Sequence, residues 1–151
     1  CSLARGPAWQ AVAQGGLNPS GLIVGGMGTA GLGEWNKRSA FFKRVIDEFD
    51  TIGKDDPAYY SRQFLKSQGV NRVAARLLLD TMPDLDLAML ANVTVPTLVV
   101  CGEEDRDNGS AEELAGMLPD ATFVETPGNH LMSATKPEMG DAIVNWLQET
   151  T

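Results

Sequence analysis

Val95-Pro96-Thr97-Leu98-Val99-Val100-Cys101-Gly102-Glu103-Glu104-Asp105 runs from an unbroken apolar stretch straight into an acidic loop. An apolar run of this length without alternation reads as a strand covered on both faces, as at the centre of a parallel sheet. Downstream, Ser110 is placed to cap a helix through Leu118, with Glu113 completing a capping box. Thr122-Phe123-Val124-Glu125 reads as a second strand. It leads into Pro127-Gly128-Asn129-His130, which holds the only histidine of the chain. A further capping box, Thr135 with Glu138, opens a last helix whose apolar positions are Met139, Ala142, Ile143, Trp146 and Leu147. Strand, acid loop, helix, strand, histidine loop, helix places Asp105 and His130 at the same end of a sheet. Histidine is the one side chain whose ordinary titration lies near neutrality, so this end is where acid–base chemistry is expected.

Upstream of that stretch, residues 3–14 carry scattered apolar positions (Leu3, Trp9, Val12, Ala13) compatible with a helix, which Gly6-Pro7 weakens. Gly21-Leu22-Ile23-Val24-Gly25 reads as a short strand, and a glycine-rich segment follows to Gly33. An amphipathic helix is expected over 36–50, with Phe41, Phe42, Val45, Ile46 and Phe49 on one face. A second helix is expected from Asp56-Pro57, with Tyr60, Phe64 and Leu65 inward, to Gly69. A third should cover about 70–80 and stop at Pro83, with a helical turn over 84–91. Strands alternating with helices give an α/β class with a doubly wound parallel sheet of three strands. Residues 1–33 and 94–151 are expected to form its core, and 34–93 a helical cap packed around Trp35, Phe41, Phe42, Tyr59, Tyr60 and Phe64.

The chain has 151 residues, 43% of them hydrophobic, enough for one ordinary domain. A net charge of -8 argues against a nucleic-acid backbone as partner. No apolar run approaches the roughly 18 residues of a membrane span. Two cysteines do not make a disulfide framework; Cys101 reads as a small core residue and a reducing cytoplasm is the default compartment. Cys1 could be a lipidated residue or the nucleophile of a self-processed hydrolase; the plainer expectation is a segment starting partway along a longer protein. One histidine and scattered carboxylates do not form a metal ligand set.

These features together resemble the C-terminal half of the alpha/beta-hydrolase superfamily. Val95 to Val100 looks like its seventh strand and Gly102 to Asp105 like its Gly-x-x-Asp acid loop. Gly128-Asn129-His130 looks like its histidine loop, and Lys136-Pro137-Glu138 like the start of its last helix. The resemblance implies a Ser–His–Asp triad that works without a cofactor. Ser2, in Cys1-Ser2-Leu3-Ala4 and about 20 residues ahead of Leu22-Ile23-Val24, would be the nucleophile. His130 would be the base and Asp105 the acid, with Asp107 the competing carboxylate. The Leu3 N–H would be an oxyanion donor. The pattern departs from G-x-S-x-G: Ala4 stands at the second glycine, and the first would precede residue 1. The resemblance also implies upstream strands and a second oxyanion donor outside these residues, so residues 21–25 would be an open sheet edge. The implied function is hydrolysis of a small ester-like acyl substrate, completed by an N-terminal half or a homodimer partner.

Two other readings compete. Gly26-Met27-Gly28-Thr29-Ala30-Gly31 is a literal G-x-G-x-x-G after a strand, the dinucleotide-binding pattern. That pattern needs a second strand about 20 residues on, whereas residues 49–57 are polar and the next strand begins only at Val95. The other is a catalytically inactive, hydrolase-like binding module. The single histidine in the family position argues against it.

Overall fold

The structure, a computed structural model, describes residues 5–81 and 84–150. Three strands form a parallel sheet: β1 (Leu22–Gly25), β2 (Thr97–Gly102) and β3 (Ala121–Thr126), in the order β1-β2-β3. Leu22 pairs with Thr97, and Thr97 with Ala121, so all three strands end at the same side of the sheet. β2 is central and every one of its residues is buried, as its continuous apolar sequence requires.

Alternation along β2 divides the core into two layers. Val99 and Cys101 face a cluster with Trp9 and Val12 of α1 (Arg5–Ala13) and Leu114 of α6 (Ala111–Gly116). Leu98 and Val100 face Trp146 of α7 (Pro137–Thr150), with Met139, Ala142 and Ile143 beside it. Helices on both faces of a parallel sheet are the doubly wound arrangement. Leu98 is fully buried between β2 and α7. Leu98→Ala is expected to cost about 3 kcal/mol and to lower Tm by about 10 °C for a chain of this size, read by thermal unfolding.

The chain divides into two compact units, one of residues 1–33 with 85–151 and one of residues 34–84. The second unit was expected to run to residue 93. It ends at Asp84 because Leu85, Leu90 and Val93 are buried in the core of the first unit, where residues 87–92 form a 3₁₀ turn capped by Asp86. α2 (Thr29–Gly33) ends the first segment of the first unit.

The second unit consists of α3 (Trp35–Asp47), α4 (Tyr59–Ser67) and α5 (Arg72–Thr81). Val45, Ile52 and Ala58 form one buried cluster and Trp35 with Leu79 another. Arg44 pairs with Glu48 and Asp56, Arg76 with Asp47 and Asp80, and Lys43 with Asp80. Not every aromatic packs inward as expected. Trp35 is buried, and Phe42 and Tyr59 pack against the clusters, but Tyr60 is 83% and Phe64 59% exposed. These two lie four residues apart on the outer side of α4, where Tyr59 and Leu65 supply the inner side.

Local signals moved several boundaries. Gly6-Pro7 sits in the first turn of α1, where a missing N–H removes no intrahelical bond. Asp56 does not cap α4 directly: its carboxylate accepts from the Ala58 N–H at 2.8 Å and binds Arg44, so the helix begins three residues later. Thr135 does not cap α7, because its hydroxyl donates to Met132 O at 2.8 Å, closing a 3₁₀ turn. α7 then starts at Pro137, whose fixed φ suits the first helical position. Pro83, read as the stop of the third helix, lies outside the described residues.

Candidate active site

The end of the sheet is built by the hydrogen-bond ladder running on past the strands. Glu103 N donates to Thr126 O at 2.8 Å and Glu104 N to Gly128 O at 3.1 Å, so the loops after β2 and β3 stay zipped together. Gly102 makes the crossing possible. A Cβ there would lie 2.2 Å from Gly128 O. Gly128 takes φ +106, a left-handed conformation that favours glycine. Asn129 then reverses the chain: its Oδ1 accepts from Leu131 N at 3.1 Å and Met132 N at 3.0 Å. His130 stands at the apex of that turn.

His130 Nδ1 and Asp105 Oδ2 are 2.8 Å apart. The Asp105 side chain is 1% exposed and that of His130 is 25% exposed. The other carboxylate oxygen, Oδ1, accepts from Asp107 N at 3.1 Å. A neutral imidazole that donates from Nδ1 to a carboxylate leaves Nε2 as its acceptor, which is the arrangement of a general base. Of the two competing carboxylates, Asp105 makes this hydrogen bond, while Asp107 supports Asp105 through its backbone. Ser2 and Leu3 lie outside the described residues.

Asp105, Asp107 and His130 offer ligand atoms within 4.8 Å of one another. A cation there would have to displace the Nδ1–Oδ2 hydrogen bond.

Cys101 is 5% exposed at the end of β2. Burial pushes its thiol up to about 11, and the neighbouring Asp105 carboxylate adds to the shift. The folded protein therefore holds this proton more tightly than the unfolded chain. The stabilisation is full below about pH 9 and is lost as pH rises toward 11. Urea unfolding is expected to show a steeper loss of stability across that window in the unsubstituted protein than in Cys101→Ala.

The glycine-rich loop after β1 does not form a phosphate cradle. Gly26 N donates to Val100 O at 2.9 Å, Thr29 N to Ser110 O at 3.3 Å and Gly31 N to Asn108 O at 2.8 Å. A Cβ on Gly28 would lie 2.5 Å from the Gly109 carbonyl, and one on Gly31 2.5 Å from Met27 Sδ. The glycines serve close packing against the loop of residues 105–110, and these three amides are spent on protein acceptors. Glu113 is drawn into the same junction. Ser110 Oγ caps α6 by accepting from Glu113 N, while the Glu113 carboxylate accepts from Thr29 Oγ1 at 3.0 Å.

No protein-family model matches this chain, and no curated protein matches it. Solved structures do. A hydrolase from Pseudomonas aeruginosa PA01 is 18% identical, with a TM-score of 0.61 over 95% or more of this chain (97%) and 61% of its own. A serine hydrolase involved in carbazole degradation, the CarC enzyme, is 17% identical with a TM-score of 0.58, covering 93% of this chain and 58% of its own. An alpha/beta fold family hydrolase from Bacillus anthracis str. Sterne is 17% identical with a TM-score of 0.52, covering 93% and 61%. The fold is that of the alpha/beta-hydrolases. This chain spans about three-fifths of the length of those hydrolases. Among its described residues no helix is long and apolar enough to cross a membrane.

Sequence reading missed two residues that line the Asp105–His130 pair. Gly26 was visible only as part of a nucleotide-like pattern. Asn108 sits in a polar loop with no periodicity to mark it. Their importance arises from contact across 82 positions of sequence.

Proposed function

We propose that this chain carries the acid and base of a serine hydrolase acting on a small ester-like acyl substrate. The observation that carries the reading is the 2.8 Å contact between the buried Asp105 carboxylate and the part-exposed His130. In this reading Ser2 Oγ attacks the acyl carbon, His130 Nε2 takes the hydroxyl proton and later returns it to the leaving group. Asp105 holds the imidazole tautomer and stabilises the imidazolium. The Leu3 N–H stabilises the oxyanion. The helical unit of residues 34–84 has the role of the cap inserted between β1 and β2.

A second part of the proposal concerns completeness. Among the described residues β1 pairs with β2 alone, which leaves one side of β1 to receive a further strand. The upstream half of the fold, or a second copy of the chain, supplies that strand and a second oxyanion donor. The test is labelling with a fluorophosphonate probe and mapping of the adduct by peptide mass spectrometry. The expected result is an adduct on Ser2 that is lost in His130→Ala. A folded protein that remains unlabelled with the upstream half present would overturn the proposal.

A further inference from the structure

Asn108 is a polar side chain only 2% exposed, three residues beyond Asp105. Its Nδ2 donates to Gly26 O at 2.6 Å. Its backbone carbonyl accepts from Gly31 N at 2.8 Å. The loop after β1 is therefore tied to the acid loop at both ends of the segment 26–31. Gly26 takes φ +60, and a Cβ there would lie 3.1 Å from both Cε1 and Nδ1 of His130 and 3.3 Å from Asp105 Oδ2. The space that a side chain at residue 26 would fill is taken by the imidazole and the carboxylate, so the Cα face of Gly26 walls one side of the pair.

An imidazole turns about a broad torsion to its ring, and a hydrogen bond alone leaves it room to swing. A wall on one side limits the tilt of the ring, and the hydrogen bond to Asp105 Oδ2 then selects, of the two flipped orientations, the one with Nδ1 toward the carboxylate. The wall holds only if Gly26 is held, and a left-handed residue at the end of a strand has few ladder bonds of its own. Gly26 N is bonded to Val100 O, and its carbonyl is bonded to Asn108.

We propose that Asn108 is a positioning residue for the Asp105–His130 pair: its buried carboxamide fixes Gly26, and Gly26 confines the imidazole to the orientation that meets Asp105. The consequence for rate rests on the hydrolase reading above; the claim about imidazole orientation does not. Misplacement of a reacting group by about 1 Å can cost on the order of 10²-fold in rate.

The test uses Asn108→Leu, of similar size without donor or charge, and Asn108→Asp, of the same shape without the donor. The chain has one histidine, so the Nδ1–H proton hydrogen-bonded to Asp105 gives a single low-field NMR resonance. It is expected to be sharp in the unsubstituted protein and broadened or lost in both variants. The kcat for a p-nitrophenyl ester should fall about 10- to 100-fold with KM within about twofold. Folded variants that keep the resonance and kcat would overturn the proposal, as would a lowered Tm with both retained. Loss of the resonance where the unsubstituted protein hydrolyses no ester with the upstream half present supports the positioning and removes the hydrolase reading. Should both variants fail to fold, exchange of the Asn108 carboxamide protons decides in the unsubstituted protein. Protection supports the clamp, and exchange at the rate of a free amide overturns it.

Discussion

Replacement of His130 by alanine is expected to lower kcat for p-nitrophenyl ester hydrolysis by about 10⁴-fold or more, with the fold intact. The magnitude follows from what is removed. In the proposed mechanism no other group accepts the nucleophile proton, and Asp105 is left buried without its partner. The side chain of His130 is part-exposed and fills no core cluster, so the expected fall in melting temperature comes from the unpaired buried carboxylate alone. Asp105→Asn is expected to fall by a similar about 10⁴-fold for a different reason. An asparagine can present its amide N–H to Nδ1 and so favours the tautomer protonated at Nε2, which cannot act as a base. The Oδ1 that accepts from Asp107 N at 3.1 Å has a counterpart in asparagine, so the acid loop should hold its shape in this variant. Kinetics on both variants, with circular dichroism to establish folding, check the prediction. Activity within about tenfold of the unsubstituted protein in a folded His130→Ala would remove His130 from the chemistry.

Gly102→Ala is expected to disable the site by steric means alone. The added methyl would sit 2.2 Å from Gly128 O and 3.1 Å from Ser133 Cβ. The first of these is a backbone atom held by Glu104 N at 3.1 Å, so no flexible side-chain end is available to move aside. Overpacking against backbone costs about 3 kcal/mol. Relief requires the loop bearing His130 to lift from the end of β2, which separates the imidazole from Asp105. Both a lower Tm and a loss of esterase activity comparable to that of a triad variant are expected. Chemical denaturation and ester kinetics on the same preparation read the two effects together. By contrast Gly53→Ala, where an added Cβ meets nothing within 4 Å, should change neither.

The periodicities in the chain were enough to read the class of the fold. The apolar run ending at Cys101 reads as a strand covered on both faces, and the spacing of Met139, Ala142, Ile143 and Trp146 as one face of a helix. Both signals are local, since each depends on side chains a few positions apart, and the parallel direction of the strands follows from the helices placed between them. The acid and histidine loops were legible for the same reason: they follow directly from strands whose ends a parallel sheet must bring together.

Boundaries and partners were decided elsewhere. Residues 85–93 resemble a continuation of the helical segment in sequence, but Leu85, Leu90 and Val93 join the sheet core because that core had apolar surface to cover there. Thr135 and Asp56 have the composition of helix caps, and each found a nearer hydrogen-bond partner. The G-x-G-x-x-G segment shows the limit most clearly. Its sequence is the same for a phosphate cradle and for a close backbone crossing, and only the approach of Gly109 and Asn108 selects the second. The sequence alone determined that this protein has an α/β architecture with an acidic loop and its one histidine at the same end of the sheet. The tertiary structure alone decided that Asp105 rather than Asp107 meets the imidazole and that Gly26 walls the pair in. It did so because hydrogen-bond distance and steric contact are properties of residues far apart in sequence that the sheet brings together.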